Sequence, residues 1–409
     1  MQNKPKIVVL NDFAYIAGGA SQVALASAVG LARRGYGVTF VSAVGPVEPG
    51  ITAHPNLQVV CTHQHDIAKD PKPLRAAGQG IWNPRAGKTL SKVLDHCDAR
   101  NTIVHVHSFN KALSSSVMRE AVRRNFRVVL TLHDYFVACP NGGFFIHPTE
   151  RICPLRGMSS KCIRTNCDSR SYLHKLWRVG RQAVQNRLGL VPEGIKHFIA
   201  ISDLSYGVLR SYLPKDASVH FVSNPIDTPK KDPTEIQKNT AYVAVGRLSK
   251  EKGLPLLAEA SRRVGAHAIF VGEGDQRGQI SRVNPDATIT GWVPHREVVD
   301  YLSKARALVL PSLLYEAQPL APYEAAALGV PAIVSHTCAA REMIEDGVTG
   351  LLFESGNASD LASKIAVLRE DRTARNMGLA AYERYWANPP TEDLHLQKLE
   401  KVYTQVLNS

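Results

Sequence analysis

Residues 245–253, VGRLSKEKG, bring Gly246, Arg247, Lys252 and Gly253 together directly after an apolar run. Glycine lets main-chain amides approach a bound group closely, and two nearby cations can neutralise a diphosphate. A solvated basic turn has the same composition, so this stretch alone is weak. Residues 311–329, PSLLYEAQPLAPYEAAALG, are more specific, because Glu316 and Glu324 are separated by seven residues between Pro-Ser and a glycine. With a strand before and a helix after, Glu316 falls in the loop and Glu324 on the helix. The backbone N–H groups of residues 317–320 then meet the helix N-terminus, a ready anion site. Carboxylates in those two places can accept hydrogen bonds from sugar and ribose hydroxyls. The plain alternative is a pair of solvated surface glutamates.

A second cluster lies in residues 139–167, which hold Cys139, Cys153, Cys162 and Cys167, four of the chain's seven cysteines. The spacings are C-x13-C, C-x8-C and C-x4-C, without the tight C-x2-C pair of a zinc ribbon. Arg151, Arg156, Lys161 and Arg164 favour thiolates. A four-thiolate structural zinc, with His147 able to replace one cysteine, would stabilise a loop poor in apolar residues. An iron–sulfur cluster, disulfides, or buried thiols without a ligand are the other readings that the spacing leaves open.

The elements that must position these groups follow from periodicity. In the first half, Ile7–Leu10, Val38–Val41, Leu57–Val60, Thr102–Val106 and Val128–Leu132 read as buried strands. Ser21–Arg34, after the Gly18–Gly19 turn, reads as a helix. The second half repeats the pattern with strands at Tyr242–Val245, Ala268–Val271, Ala287–Ile289, Ala307–Leu310 and Ala332–Val334, and turns helical from Asn357 onward. Residues 223–239, with three prolines and many charges, read as a linker. Strands alternating with helices imply parallel sheets covered on both faces, and ligands then sit at the carboxyl ends of the strands. Residues 171–190 carry an amphipathic helical pattern. Its apolar stripe is expected to pack on the first domain, with an anionic membrane surface as the competing destination.

The set GGA (18–20), GRLSKEKG (246–253), PSLLYEAQPLAPYEAAALGVPAIVS (311–335) and EDGVTGLLF (345–353) resembles family 4 retaining glycosyltransferases of the GT-B fold. It runs collinearly over nearly the whole chain. The resemblance implies an α/β fold of two facing Rossmann-like doubly wound domains with a C-terminal helical segment. Residues 1–222 would bind the acceptor and carry the insertion 139–167, residues 223–385 would bind the nucleotide sugar, and 386–409 would form a helix packing back on the first domain. It also implies roles. Gly18 and Gly19 lie beneath the donor phosphates, and Gly246, Arg247 and Lys252 meet the departing diphosphate. The backbone at Gln318 and Leu320 cups that diphosphate, Glu316 contacts the transferred sugar, and Glu324 binds the ribose. His133 matches a histidine near the reacting carbon, and His107 is a second polar group at a strand end.

Retention, implied by the resemblance, calls for attack from the leaving group's own face, with a phosphate oxygen as base. Glu316 is therefore not assigned as a covalent nucleophile, unlike the paired carboxylates of glycoside hydrolysis. No metal is required for catalysis, since two side-chain cations can do that work. The chain departs from the family at Cys338–Ala340 and at Pro319, which removes an amide from the loop after Glu316.

Charge distribution adds an expectation about partners. Residues 1–222 hold 28 Lys/Arg and 13 Asp/Glu, a charge of +15, whereas residues 223–409 hold 21 and 23, a charge of −2. The basic half suits an anionic partner. It has none of the aromatic-interleaved basic pattern of a nucleic-acid reader. The expectation is a cytoplasmic, metal-independent hexosyltransferase, peripheral at the inner face of the membrane. It would move a sugar from a UDP- or GDP-type donor to a glycan or lipid-linked acceptor in lipopolysaccharide, capsule or exopolysaccharide synthesis. A nucleotide-sugar epimerase on the same architecture is the alternative.

Overall fold

The computed structural model describes residues 4–52, 54–226 and 228–409. Its strands are β1 Lys6–Phe13, β2 Val38–Val44, β3 Leu57–Cys61, β4 Thr102–Val106, β5 Arg127–Thr131, β6 Phe145–Ile146, β7 Arg151–Ile152, β8 His197–Ala200 and β9 Ser218–Phe221. The second half continues with β10 Ala241–Val245, β11 Ala268–Val271, β12 Thr288–Gly291, β13 Ala305–Leu310, β14 Ala332–Ser335 and β15 Gly350–Phe353.

The chain folds into two compact units. The first runs up to Gly143 and adds Pro154–Pro225 and Pro390–Ser409; the second comprises Phe144–Cys153 and Ile226–Pro389. The insertion 139–167 is divided, because its hairpin β6–β7 and Cys153 belong to the second unit.

The first unit holds a parallel sheet in the order β3-β2-β1-β4-β5-β8-β9. Its central strands are buried on both faces (β2 throughout), as a sheet covered by helices on both sides requires. The helix Gly19–Arg33 packs on it, and against that helix lies the C-terminal helix Glu392–Leu407 through Leu396, Leu399, Val402, Tyr403 and Val406. A Cβ on Gly30 would fall 2.4 Å from Leu396 Cδ1, so the small residue sets how closely the two helices approach.

The helix Tyr172–Arg187 overturns the packing expected of it. Leu173 is 77% exposed and Leu176 is 40% exposed, while Lys175, Arg181, Gln182 and Gln185 are buried. The cause lies in the loop it covers. Arg181 donates to the carbonyls of Asn110 and Pro140, Gln182 to Val137 and Gln185 to Phe136. Loop carbonyls with no strand partner need donors when buried, so the polar face turns inward.

The second unit holds a parallel sheet in the order β12-β11-β10-β13-β14-β15 over its own apolar core. The proline-rich stretch read as linker is packed at one end: Ile236 is buried, and Arg306 donates to the carbonyls of Ile236 and Asn239. Among the described residues no helix is long and apolar enough to cross a membrane.

Candidate active site

In the second unit the chemistry gathers at the carboxyl ends of β10 and β13. Glu316 is nearly enclosed, and its Oε1 accepts from Lys252 Nζ at 2.5 Å and from Ser312 Oγ at 2.6 Å. Its main chain bridges to Cys338, and its carbonyl accepts from Ala339 N–H at 3.0 Å. The departure at Cys338–Ala340 thus lies directly beneath this glutamate, where burial and the Glu316 charge push the Cys338 thiol well up. Glu324 is buried on the helix Ala321–Ala327, and its Oε1 lies 2.9 Å from His295 Nε2. Neither glutamate is a solvated surface group.

The turn after β10 is strapped to its neighbours. Leu248 N–H donates to Glu273, and Leu313 N–H to the Glu251 carbonyl. Gly253 adopts φ 64°, and a Cβ there would meet the Pro311 carbonyl oxygen at 2.1 Å, so only glycine fits. Burial works against the Glu251 charge, yet the Ser249 hydroxyl and Arg247 hold its carboxyl below the ordinary range. Arg247 Nη2 reaches Glu251 at 3.2 Å while staying 72% exposed. Gly246, Arg247, Lys252, Glu316, Gln318, Leu320 and Glu324 thus all fall on the adjoining turns and helix at this sheet end.

The diphosphate cup expected at residues 317–320 is leaner than its sequence suggests. Pro319 and Pro322 have no N–H, and the amides of Tyr323 and Glu324 are spent on the Leu320 carbonyl. The Gln318 side chain hydrogen-bonds Tyr323, whose hydroxyl is pushed up chiefly by burial.

In the first unit, Gly18 caps the helix Gly19–Arg33 with φ 153°, without a side-chain cap, and Ser21 Oγ braces the turn to Ala17 and Gly18. The first amides of this fifteen-residue helix therefore stand at an N-terminus suited to an anion. At the ends of β4 and β5, His107 Nδ1 and His133 Nε2 are 3.0 Å apart, with rings stacked at 5.3 Å. Burial lowers His133 to about 3 and His107 well below its ordinary value. Both rings are thus neutral near pH 7, and one proton bridges them. Behind them His105, also lowered to about 3 by burial, joins Tyr403 Oη at 2.7 Å and Thr131 Oγ1 at 2.8 Å. Asp134 is raised to about 6 by burial, against the Phe136 N–H and Arg181.

The metal centre expected from Cys139, Cys153, Cys162 and Cys167 is not formed. Among the described residues no group of three or more His, Cys, Asp or Glu side chains is arranged to hold a metal ion. The Lys175 ammonium stands among the thiols of Cys139, Cys162 and Cys167, where it would repel a bound cation.

Several partners lie beyond what spacing could show: His295 for Glu324, Ser312 for Glu316, Glu251 for Arg247, and Asp12. The Asp12 carboxylate accepts from the N–H groups of Lys111, Ala112 and Leu113 and holds the loop after β4. Asp12 at the end of an apolar strand was the available signal, since a buried carboxylate must find donors.

A family model described as Glycosyltransferase Family 4 matches residues 17–230, and one described as Glycosyl transferases group 1 matches residues 239–371. The amylovoran biosynthesis glycosyltransferase AmsK of Erwinia amylovora is 31% identical over 137 residues, 30% of this chain and 34% of that protein. The chain spans about a third of the length of the curated relatives first matched. Among solved structures, sucrose-phosphate synthase of Thermosynechococcus elongatus gives a TM-score of 0.73 at 17% identity, covering 99% of this chain and 100% of that one. HepE of Anabaena, in complex with UDP-glucose, gives 0.67 at 18% identity, covering 98% of this chain and 100% of that one. At such identities the likeness speaks for the fold.

Proposed function

The chain belongs to glycosyltransferase family 4, and from that premise we propose that it moves a hexosyl unit, with retention, from a nucleoside-diphosphate sugar to a glycan or lipid-linked acceptor. The observation that carries this is the Lys252–Glu316–Ser312 cluster beside the buried Glu324. Negative charge grows on the departing diphosphate, and cations already in place stabilise it without reorganising. Lys252 and Arg247 supply them, each now held by a carboxylate that the diphosphate would displace or share. Glu316 commits Oε1 to two donors, which leaves Oε2 to accept from a sugar hydroxyl. A carboxylate so engaged is a positioner rather than a nucleophile. Glu324, braced by His295, takes the ribose hydroxyls. Within the first unit, the Gly18–Gly19 amides suit an anion, and neutral His133 offers a hydrogen bond without adding charge.

The relatives matched carry transferase names, which favours this reading over the epimerase one. A donor of the UDP or GDP type fits it, as does a role in surface-polysaccharide synthesis like that named for AmsK. The experiment is a panel of nucleotide sugars screened by thermal shift, followed by product analysis with the donor that stabilises most. Transfer with inversion, or stabilisation by none of the panel, would refute the proposal.

The lipid side of the acceptor reading rests on the inverted helix. Leu173 and Leu176 are exposed on this helix and Leu74, at 88%, on the adjoining helix Pro73–Ile81, with Lys72, Lys161 and Arg170 exposed on flanking segments. Such a combination suits an anionic membrane surface. Flotation with phosphatidylglycerol vesicles should recover the chain, and Leu74→Ser with Leu173→Ser should abolish recovery. Equal recovery of both proteins would remove the membrane from the account.

A further inference from the structure

Lys175 lies fully buried on the helix Tyr172–Arg187, and among the described residues no carboxylate pairs with it. Its Nζ donates to Cys162 Sγ at 3.5 Å and shares a hydrogen bond with the Cys167 thiol, with Cys139 the third sulfur acting on its charge. Cys139, Cys162 and Cys167 are 6%, 5% and 4% exposed. Asn141 Nδ2 fixes Cys167 by donating to its carbonyl at 2.9 Å and to its sulfur at 3.2 Å. Burying an ammonium group without a carboxylate carries a heavy desolvation penalty. A methionine would fill the same space without it. Among the described residues the nitrogen thus has sulfur atoms as its hydrogen-bond partners, which gives it a chemistry that packing does not explain.

We propose that Lys175 and Cys162 become joined, under oxidation, by a reversible nitrogen–oxygen–sulfur bridge. The oxidant is dioxygen. The ammonium first yields one proton to solvent; the amine then gives up one N–H hydrogen and the thiol its S–H hydrogen. One oxygen atom is inserted to form the N–O and O–S bonds, and the other leaves as water with those two hydrogens. Nitrogen and sulfur each lose two electrons, and the four electrons reduce both oxygen atoms. Two equivalents of a dithiol reverse the step, returning amine, thiol and one water. The bridge would tie the short helix Ser160–Arg164 to the helix whose Trp177, Arg178 and Arg181 line a 460 Å³ pocket, fixing that wall. It stands apart from Cys oxidation at an exposed thiol, since no exposed group is needed, and it does not depend on the transferase reading.

The test is mass spectrometry of the full chain, air-oxidised and then treated with dithiothreitol. The expected result is a species with one oxygen gained and two hydrogens lost, a cross-linked peptide containing Cys162 and Lys175, and return to the starting mass on reduction. Lys175→Arg, which keeps the charge, should fold by circular dichroism and lose that species entirely. Loss of two hydrogens alone, signalling a disulfide, would overturn the proposal. So would the same species in Lys175→Arg, or stoichiometric zinc or iron in the purified chain. Should Lys175→Arg fail to fold, Cys162→Ser serves in its place, with the same expectation and the same overturning outcome.

Discussion

The carboxyl ends of the two sheets handle charge in opposite ways. Beyond β10 and β13, charge is kept and matched: Lys252 against Glu316, Arg247 against Glu251, and His295 beside Glu324. Beyond β4 and β5, charge is removed: burial leaves His105, His107 and His133 neutral and raises Asp134 to about 6. For transfer from a nucleotide sugar the contrast has a physical sense. The leaving diphosphate needs cations, whereas an attacking hydroxyl and an electron-poor sugar are served by neutral hydrogen-bonding groups. At these strand ends the second unit keeps its charges paired, whereas the first, though basic overall, keeps its histidines neutral.

The largest way to break that contrast is Lys252→Ala, which should lower turnover by about 10²–10³-fold with circular dichroism unchanged. Arg247→Ala should cost less, since that side chain is 72% exposed. Near-normal turnover in both would place the diphosphate clamp elsewhere. Next comes the frame itself. Leu396→Ala opens a cavity where the C-terminal helix meets the helix Gly19–Arg33, and should lower unfolding free energy by about 2–5 kcal/mol in urea titration. Tyr403→Phe leaves His105 Nδ1 without its partner and should destabilise by about 1–3 kcal/mol in the same measurement.

The pH dependence sharpens the comparison further. His105 and His133 are depressed in the folded chain, so the unfolded chain binds more protons between about 3 and the ordinary histidine value near 6.5. Stability should therefore fall as pH drops through that window. Asp134 acts in the opposite sense: its raised value contributes stability at low pH that is lost as pH rises through about 6. Melting curves from pH 4 to 8 should show Asp134→Asn with a steeper acid-side loss than the parent. The smallest effect is expected at the exposed pair Arg263–Glu259, where Arg263→Ala should change stability by less than about 0.5 kcal/mol.

Much of this frame was legible in the sequence because buried parallel strands are short β-branched runs. Ala268–Val271 is bounded in the structure as its composition suggests. β9 was not legible, since Ser218–Phe221 is partly exposed and has no such run. The Glu316–Glu324 block stood out through its flanking prolines and glycine, but its bracing partners are brought in by folding, as with His295 and Glu324. The helix Tyr172–Arg187 shows a deeper limit. Its periodicity tells which residues share a face, whereas which face turns inward depends on what the neighbouring loop needs. Cysteine spacing failed for a related reason: nothing in it shows Lys175 entering from a later helix to stand among the thiols.

The central claim is that the second unit binds the nucleotide part of the donor through Glu324. Calorimetric titration of UDP and GDP into the full chain, beside the Glu324→Ala variant of matched thermal stability, tests it most directly. The account predicts binding of one nucleotide by the parent and at least about tenfold weaker binding by the variant, the loss expected when a charged hydrogen-bond acceptor is removed. Equal affinity in the two proteins would contradict it.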